Sequence, residues 1–338
     1  MKRDMKAWKE DLIKAKAKCA LPILSFPCVQ LMGVSVEQLS RDPALQARGM
    51  QLVAERTPAC AAVSMMDLSV EAEAFGATAR FMPGEVPTVK DPIVQTPEEA
   101  DALKVPQVGA GRTGKYVEAI RQACGLINDR PVLAGVIGPF SLAGRLMGVS
   151  DIMISCYDEP EAVHTVLKKA TDFLADYVLA YRGAGAHGVV IAEPLAGLLS
   201  PGLAEEFSEP YVKRMSGAAR SDEFLVIYHN CGNNTPLMLD SILRTNCDGY
   251  HFGDAVAIAG LVGRVPEDKL VMGNISPSSQ FLGGTPEGIR EATLGQLGAC
   301  SPGHPNYIIS SGCDIPPMSP WENIDAFFAA VQEYYTGV

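Results

Sequence analysis

Several marks of common protein classes are missing from this 338-residue chain. Aromatic residues occupy only 7% of positions and histidine occurs five times, so a histidine at a special spacing stands out. Basic residues are scarce too: 28 Lys and Arg against 39 Asp and Glu leave a net charge of -11. That balance argues against nucleic acid, which needs a basic surface, and disfavours docking on an anionic membrane. No apolar run reaches the length of a spanning helix. The basic start, residues 1–24, has a short apolar stretch broken by Pro22 and reads as an amphipathic helix leading into a first strand, not as a secretory signal. The nine cysteines are odd in number, scattered and without a C-x-x-C pair. In a chain this long they point to free thiols in a reducing cytoplasm, most of them small buried hydrophobes, rather than to a disulfide framework. Charge blocks, low-complexity stretches, linkers and repeats are absent as well, which leaves one domain over residues 1–338.

What the chain does have is a recurring pattern on a large apolar background, 47% hydrophobic. Short apolar runs fall at 21–26, 60–66, 131–137, 188–192, 224–228, 248–252, 269–274 and 306–311. Each is continuous rather than alternating, as expected for parallel strands covered on both faces. Segments of helical periodicity lie between them, such as 160–183 and 203–220. Eight βα units predict an α/β fold, a (β/α)8 TIM-type barrel, with an insertion or extra helices at 67–130 between strands two and three. An open nucleotide-binding sheet would carry a Gly-rich loop after its first strand, and LSFPCVQLMG stands there instead.

In such a barrel, chemistry gathers where the strands end. The first run ends near Cys28 and the second at Asp67, Glu71 and Glu73. Glu193 follows the fourth run, His229 and Cys231 the fifth, His251 and Asp254 the sixth, Asn274 the seventh, and Cys313-Asp314 the eighth. His229 and Cys231 are two apart, so on an extended chain they point the same way. Together with Cys313 they offer an imidazole and two thiolates, a set suited to zinc; three ligands with one position open is the catalytic arrangement. Against this stands the reading of three unrelated buried residues, since free cysteine is often buried. The independent arrival of both segments at the barrel rim favours the metal. Gly232 and Gly312, beside the two cysteines, allow tight turns there.

The segments MMDLSVEAEAFGA, GVIGPFSLAGRLMG, AEPLAGLLSP and YHNCGNN…SSGCDIPP resemble the uroporphyrinogen decarboxylase superfamily, from about residue 60 onward. The H-x-C…C element is similar more narrowly to its methylcobamide:thiol methyltransferase branch, which includes enzymes that methylate coenzyme M. This resemblance implies zinc on His229, Cys231 and Cys313 with an acceptor thiol in the fourth position. It also implies methylcobamide supplied by a separate corrinoid-carrying protein, because no D-x-H-x-x-G motif occurs in this chain.

Around the triad, Asp67 is a candidate for orienting a zinc ligand or serving as a transient fourth one. Glu71 and Glu73 suit the first turn of a helix. Glu193 stands where the superfamily often has Asp before Pro, with a role near the metal; His251, Asp254 and Asn274 are candidates to line the substrate pocket. His187 reads as capping a turn and His164 as a surface helix residue. Three alternatives remain open. A uroporphyrinogen decarboxylase would need an arginine-rich segment after the first strand, where no Arg occurs before Arg41. A demethylase would run methyl from a methylated substrate to a corrinoid, and a non-catalytic barrel would merely hold zinc.

Overall fold

The computed structural model describes residues 2–82 and 84–337. Its centre is a parallel sheet in which β1 (Ala62–Val63), β4 (Val132–Ile137), β5 (Gly188–Ala192), β6 (Leu225–Asn230), β7 (Gly249–Phe252), β8 (Leu270–Ile275) and β9 (Tyr307–Ser311) are neighbours in that order. A separate antiparallel pair, β2 (Ala79–Arg80) and β3 (Thr88–Val89), lies in the insertion. Closure comes from the first apolar run. Residues 20–26 are extended without a full ladder, yet the Leu21 N–H donates to Ile309 O at 3.0 Å and the Cys60 N–H donates to Ala20 O at 3.0 Å. The run therefore lies between β9 and the approach to β1, completing the TIM-type barrel. It is not a regular strand because Pro22 has no N–H to donate.

Side-chain alternation sorts each strand into an inside and an outside. Leu133, Val190, Ile227, Met272 and Ile308 join Leu21 and Ile23 in an inner apolar cluster, while Val226, Tyr228 and Ile309 face the surrounding helices. Leu12, Trp8 and Ile13 of the helix Met5–Lys14 pack against the inner cluster and plug the end where the strands begin. This helix is shorter than the amphipathic start suggested, and an extended stretch separates it from the first run.

The helix Pro160–Gly183 has the expected limits, whereas the one expected at 203–220 is two helices, Pro201–Phe207 and Glu209–Ala219. Pro210 explains the break: its ring crowds the preceding turn and it offers no N–H. The insertion holds the β2–β3 hairpin and three helices, Val70–Ala74, Pro97–Ala102 and Thr113–Leu126. Among the described residues no helix is long and apolar enough to cross a membrane.

Candidate metal centre

The strand ends meet at the opposite face, the mouth. His229 is paired in register with His251 across β6 and β7. Beyond β6 the chain turns inward at Cys231, and beyond β9 at Cys313. The ligand atoms of His229, Cys231 and Cys313 all lie within 4.8 Å of one another, and among the described residues this is the group of three or more that could hold a metal ion. Close backbone approach makes it possible. A Cβ on Gly253 would stand 2.4 Å from the Cβ of Cys231, and one on Gly312 would stand 2.8 Å from the backbone nitrogen of Asp254. Neither position can carry a side chain without displacing the loop that brings the thiols in.

A hydrogen-bonded chain orients the imidazole. The Ser310 hydroxyl donates to Leu21 O at 2.7 Å, which uses its one hydrogen. Ser310 Oγ must then accept from His251 Nε2, 2.7 Å away. Burial and the neighbouring His229 hold the His251 pKa well below the ordinary histidine value, so His251 is neutral and its Nδ1 is a lone pair. His229 Nδ1 donates to it at 2.7 Å. The other ring nitrogen of His229, Nε2, is buried and without a hydrogen-bond partner. An orphaned buried nitrogen next to two thiols fits a soft dication. The Cys313 thiol hydrogen-bonds to Cys231, which lowers the Cys231 pKa; the same bond, with burial, pushes Cys313 up to about 12.

The remaining predicted residues surround this group in different ways. Asp254 is exposed beside Cys231 and makes no ion pair among the described residues. Asn274 is spent on the same loop: its Nδ2 donates to Gly253 O at 2.7 Å and to Val256 O at 2.8 Å, and its Oδ1 accepts from Gln296. Glu193 is fully buried and turned to the start of the helix Pro139–Met147, accepting from the Phe140 and Ser141 N–H groups and the Ser141 hydroxyl. Burial nonetheless lifts its pKa to about 7. Asp67 accepts from Arg112 at 2.5 Å and from Tyr116 at 2.7 Å, in a pair almost wholly out of solvent. Glu73 holds the other side of Arg112 at 2.5 Å. Glu71 accepts from the Ile137 N–H through one oxygen and leaves the other unpartnered in the interior, with a pKa raised by burial to about 8. Asp314 binds the Met66 N–H at 2.9 Å, tying the Cys313 loop to the Asp67 loop.

His187 accepts from the Val132 N–H at 3.0 Å, at the turn into a strand as expected. His164 is not simply a surface residue: it is half-buried and stacks on Phe207 at 4.6 Å. Sequence reasoning missed Ser310, Arg112 and Gly253. Ser310 was accessible through strand alternation, two residues after the inward-facing Ile308; Arg112 lies in the insertion and carries no local signal.

This arrangement, candidate ligands at the ends of non-adjacent strands over a packed interior, defines a barrel enzyme site at the mouth. The profile of the uroporphyrinogen decarboxylase (URO-D) family matches residues 24–334, and the chain belongs to that family. It is 28% identical over 278 residues to the methylcobamide:CoM methyltransferase MtbA of Methanosarcina acetivorans, covering 79% of this chain and 78% of the relative. It is also 27% identical over 295 residues to the uroporphyrinogen decarboxylase of Coxiella burnetii, covering 82% and 78%. Among solved structures, a methyltransferase from Methanosarcina mazei superposes with a TM-score of 0.86 at 22% identity, over 99% of this chain and 100% of the other, which shows the shared fold.

Proposed function

We propose that the protein is a zinc-dependent methyltransferase moving a methyl group between a corrinoid carried by a partner protein and a small thiol. The observation that carries this reading is the His229, Cys231 and Cys313 cluster within 4.8 Å, with His229 Nε2 buried and without a hydrogen-bond partner. These three side chains would hold the metal. Bound zinc would lower the pKa of an acceptor thiol and keep a sulfur nucleophile ready for the methyl group at neutral pH.

Each protein group then has a task of its own. His251 and Ser310 fix the tautomer of His229 and keep its donor side occupied. Asn274 anchors the Gly253–Val256 loop against which Cys231 packs. Asp254 is the exposed carboxylate nearest the thiols and the first candidate to touch a bound substrate. Asp67, through Arg112, and Glu193, through the helix Pro139–Met147, act as positioning residues for the loops around the mouth. Leu198, Leu237 and Met318, 50%, 69% and 60% exposed, stand in the loops after β5, β6 and β9 and offer an apolar rim for the partner protein.

The decarboxylase reading has less support. A polycarboxylate substrate needs cations at the mouth, yet Cys28 and Gln30 occupy the short helix Cys28–Met32 that follows residues 20–26, and Arg112 is spent on Asp67 and Glu73. The test is elemental analysis of the purified protein and its Cys231→Ala variant, followed by transfer from methylcobalamin to coenzyme M or homocysteine. Expected are about one zinc per chain, its loss in the variant, and thiol methylation by the wild type alone. Full zinc occupancy in the variant, or transfer by metal-free protein at the same rate, overturns the proposal.

A further inference from the structure

Five of the nine cysteines are buried and four are only partly so. The four make two pairs. One is Cys231 and Cys313 at the mouth; the other is Cys19 and Cys60 at the barrel floor. Cys19 immediately precedes the extended run 20–26, and Cys60 precedes β1, where its N–H bonds to Ala20 O at 3.0 Å. The two chains are thus laid side by side just where the plug helix leaves the floor. The Cys60 thiol hydrogen-bonds to the Cys19 sulfur, and both side chains pack against the inner apolar cluster.

Two features make this pair unlike the structural cysteines. Cys19 borders a cavity of about 290 Å³ shared with Lys18, Pro58, Phe328, Gln332 and Tyr335, which gives a small reagent a way in. Cations flank the sulfurs. Arg130 donates to Thr57 O at 2.7 Å and Ala59 O at 2.8 Å, directly before Cys60, and Lys18 adjoins Cys19. The hydrogen bond from Cys60 lowers the Cys19 pKa, aided by Arg130 and Lys18 and opposed by burial, while Cys60 moves the other way.

We propose that Cys19 and Cys60 form a reversible dithiol–disulfide site at the barrel floor, with Cys19 as the attacking thiol and Cys60 as the resolving one. The oxidant is a small-molecule disulfide. The Cys19 thiolate attacks one of its sulfurs, the S–S bond breaks, and the departing thiolate takes up a proton. Cys60 then gives up its proton and attacks Cys19 in the mixed disulfide, releasing the second small thiol. Two electrons and two protons pass from the cysteine pair to the small disulfide. The product ties the first extended run to the approach to β1, locking the plug onto the barrel. Among the described residues this pair belongs to no group of three or more metal-ligating side chains, so it does not duplicate the metal centre.

The experiment uses the full-length, metal-loaded protein equilibrated with excess glutathione disulfide, then digested without reduction and read by mass spectrometry. Expected is a cross-linked peptide pair joining Cys19 to Cys60, reversed by dithiothreitol. In Cys60→Ser, glutathione should instead remain as a stable adduct on Cys19. Competitive alkylation of reduced protein at pH 7 should label Cys19 roughly tenfold faster than in Cys60→Ala, because the donor that favours its thiolate is removed. Thermal melting of each reduced variant shows whether it is folded, and the wild-type result does not depend on any variant. Absence of the Cys19–Cys60 cross-link after equilibration, or alkylation of Cys19 no faster than in Cys60→Ala, overturns the proposal.

Discussion

The mouth and the floor of this barrel each hold two cysteines in hydrogen-bond contact, and the third group beside them separates their chemistry. At the mouth it is an imidazole whose unpartnered Nε2 lies within 4.8 Å of the sulfurs, so the vicinity favours a cation. At the floor it is a guanidinium and an ammonium, which favour a thiolate and repel a metal. Pairing of thiols therefore says little by itself; the charge and hydrogen-bond partners of the neighbours decide between ligand and nucleophile.

The sharpest way to break the comparison is to exchange the consequences of mutation. Cys313→Ala should abolish zinc retention and methyl transfer, whereas Cys19→Ser should leave zinc content unchanged, both read by elemental analysis. Equal metal loss in the two variants would merge the sites into one. Next in size, oxidising the floor pair closes a covalent loop and should stabilise the protein by about 2–4 kcal/mol on the chain-entropy argument, seen as a higher unfolding midpoint than for reduced protein. No shift would mean that the reduced floor is already as constrained as the disulfide makes it.

A smaller effect is expected at His251. His251→Phe removes the acceptor of the His229 Nδ1–H and should weaken zinc binding about 10- to 100-fold in chelator competition. Wild-type affinity would show that packing, and not the Ser310 chain, orients His229. Smallest is the pH effect at Glu71, whose folded pKa of about 8 lies above its ordinary carboxylate value because of burial. Both states are protonated in acid, so stability is highest there. As pH rises the unfolded chain ionises first, and stability falls until the folded carboxyl also ionises near pH 8. Glu71→Gln should therefore flatten the pH dependence between about 5 and 8, with its largest relative gain at the alkaline end of a denaturation series. An unchanged slope would assign that dependence to other groups.

Much of the architecture was legible in advance because continuous apolar runs and helical periodicity are local properties. Seven of the eight runs coincide with ladder strands, and the helix Pro160–Gly183 has the limits its pattern suggested. The H-x-C spacing on β6 and the position of Cys313 beyond β9 likewise identified the metal candidates, since alternation and strand ends are readable from the chain. The orphaned Nε2 and the Ser310–His251–His229 order were not legible, because they depend on three strands meeting across the barrel. Nor was the use of Asn274 for a loop or of Glu193 for a helix start: a carboxylate or amide at a strand end looks the same whether it faces substrate or backbone.

The chain by itself determined the class of fold, the helical start and the three soft candidate ligands, all of which follow from hydrophobic period and residue type. Only the tertiary structure decided which ring nitrogen is left without a partner, which acids are already spent, and that Cys19 meets Cys60. Those outcomes depend on distances between segments 22 to 289 residues apart in sequence, set by barrel closure and not by any local pattern.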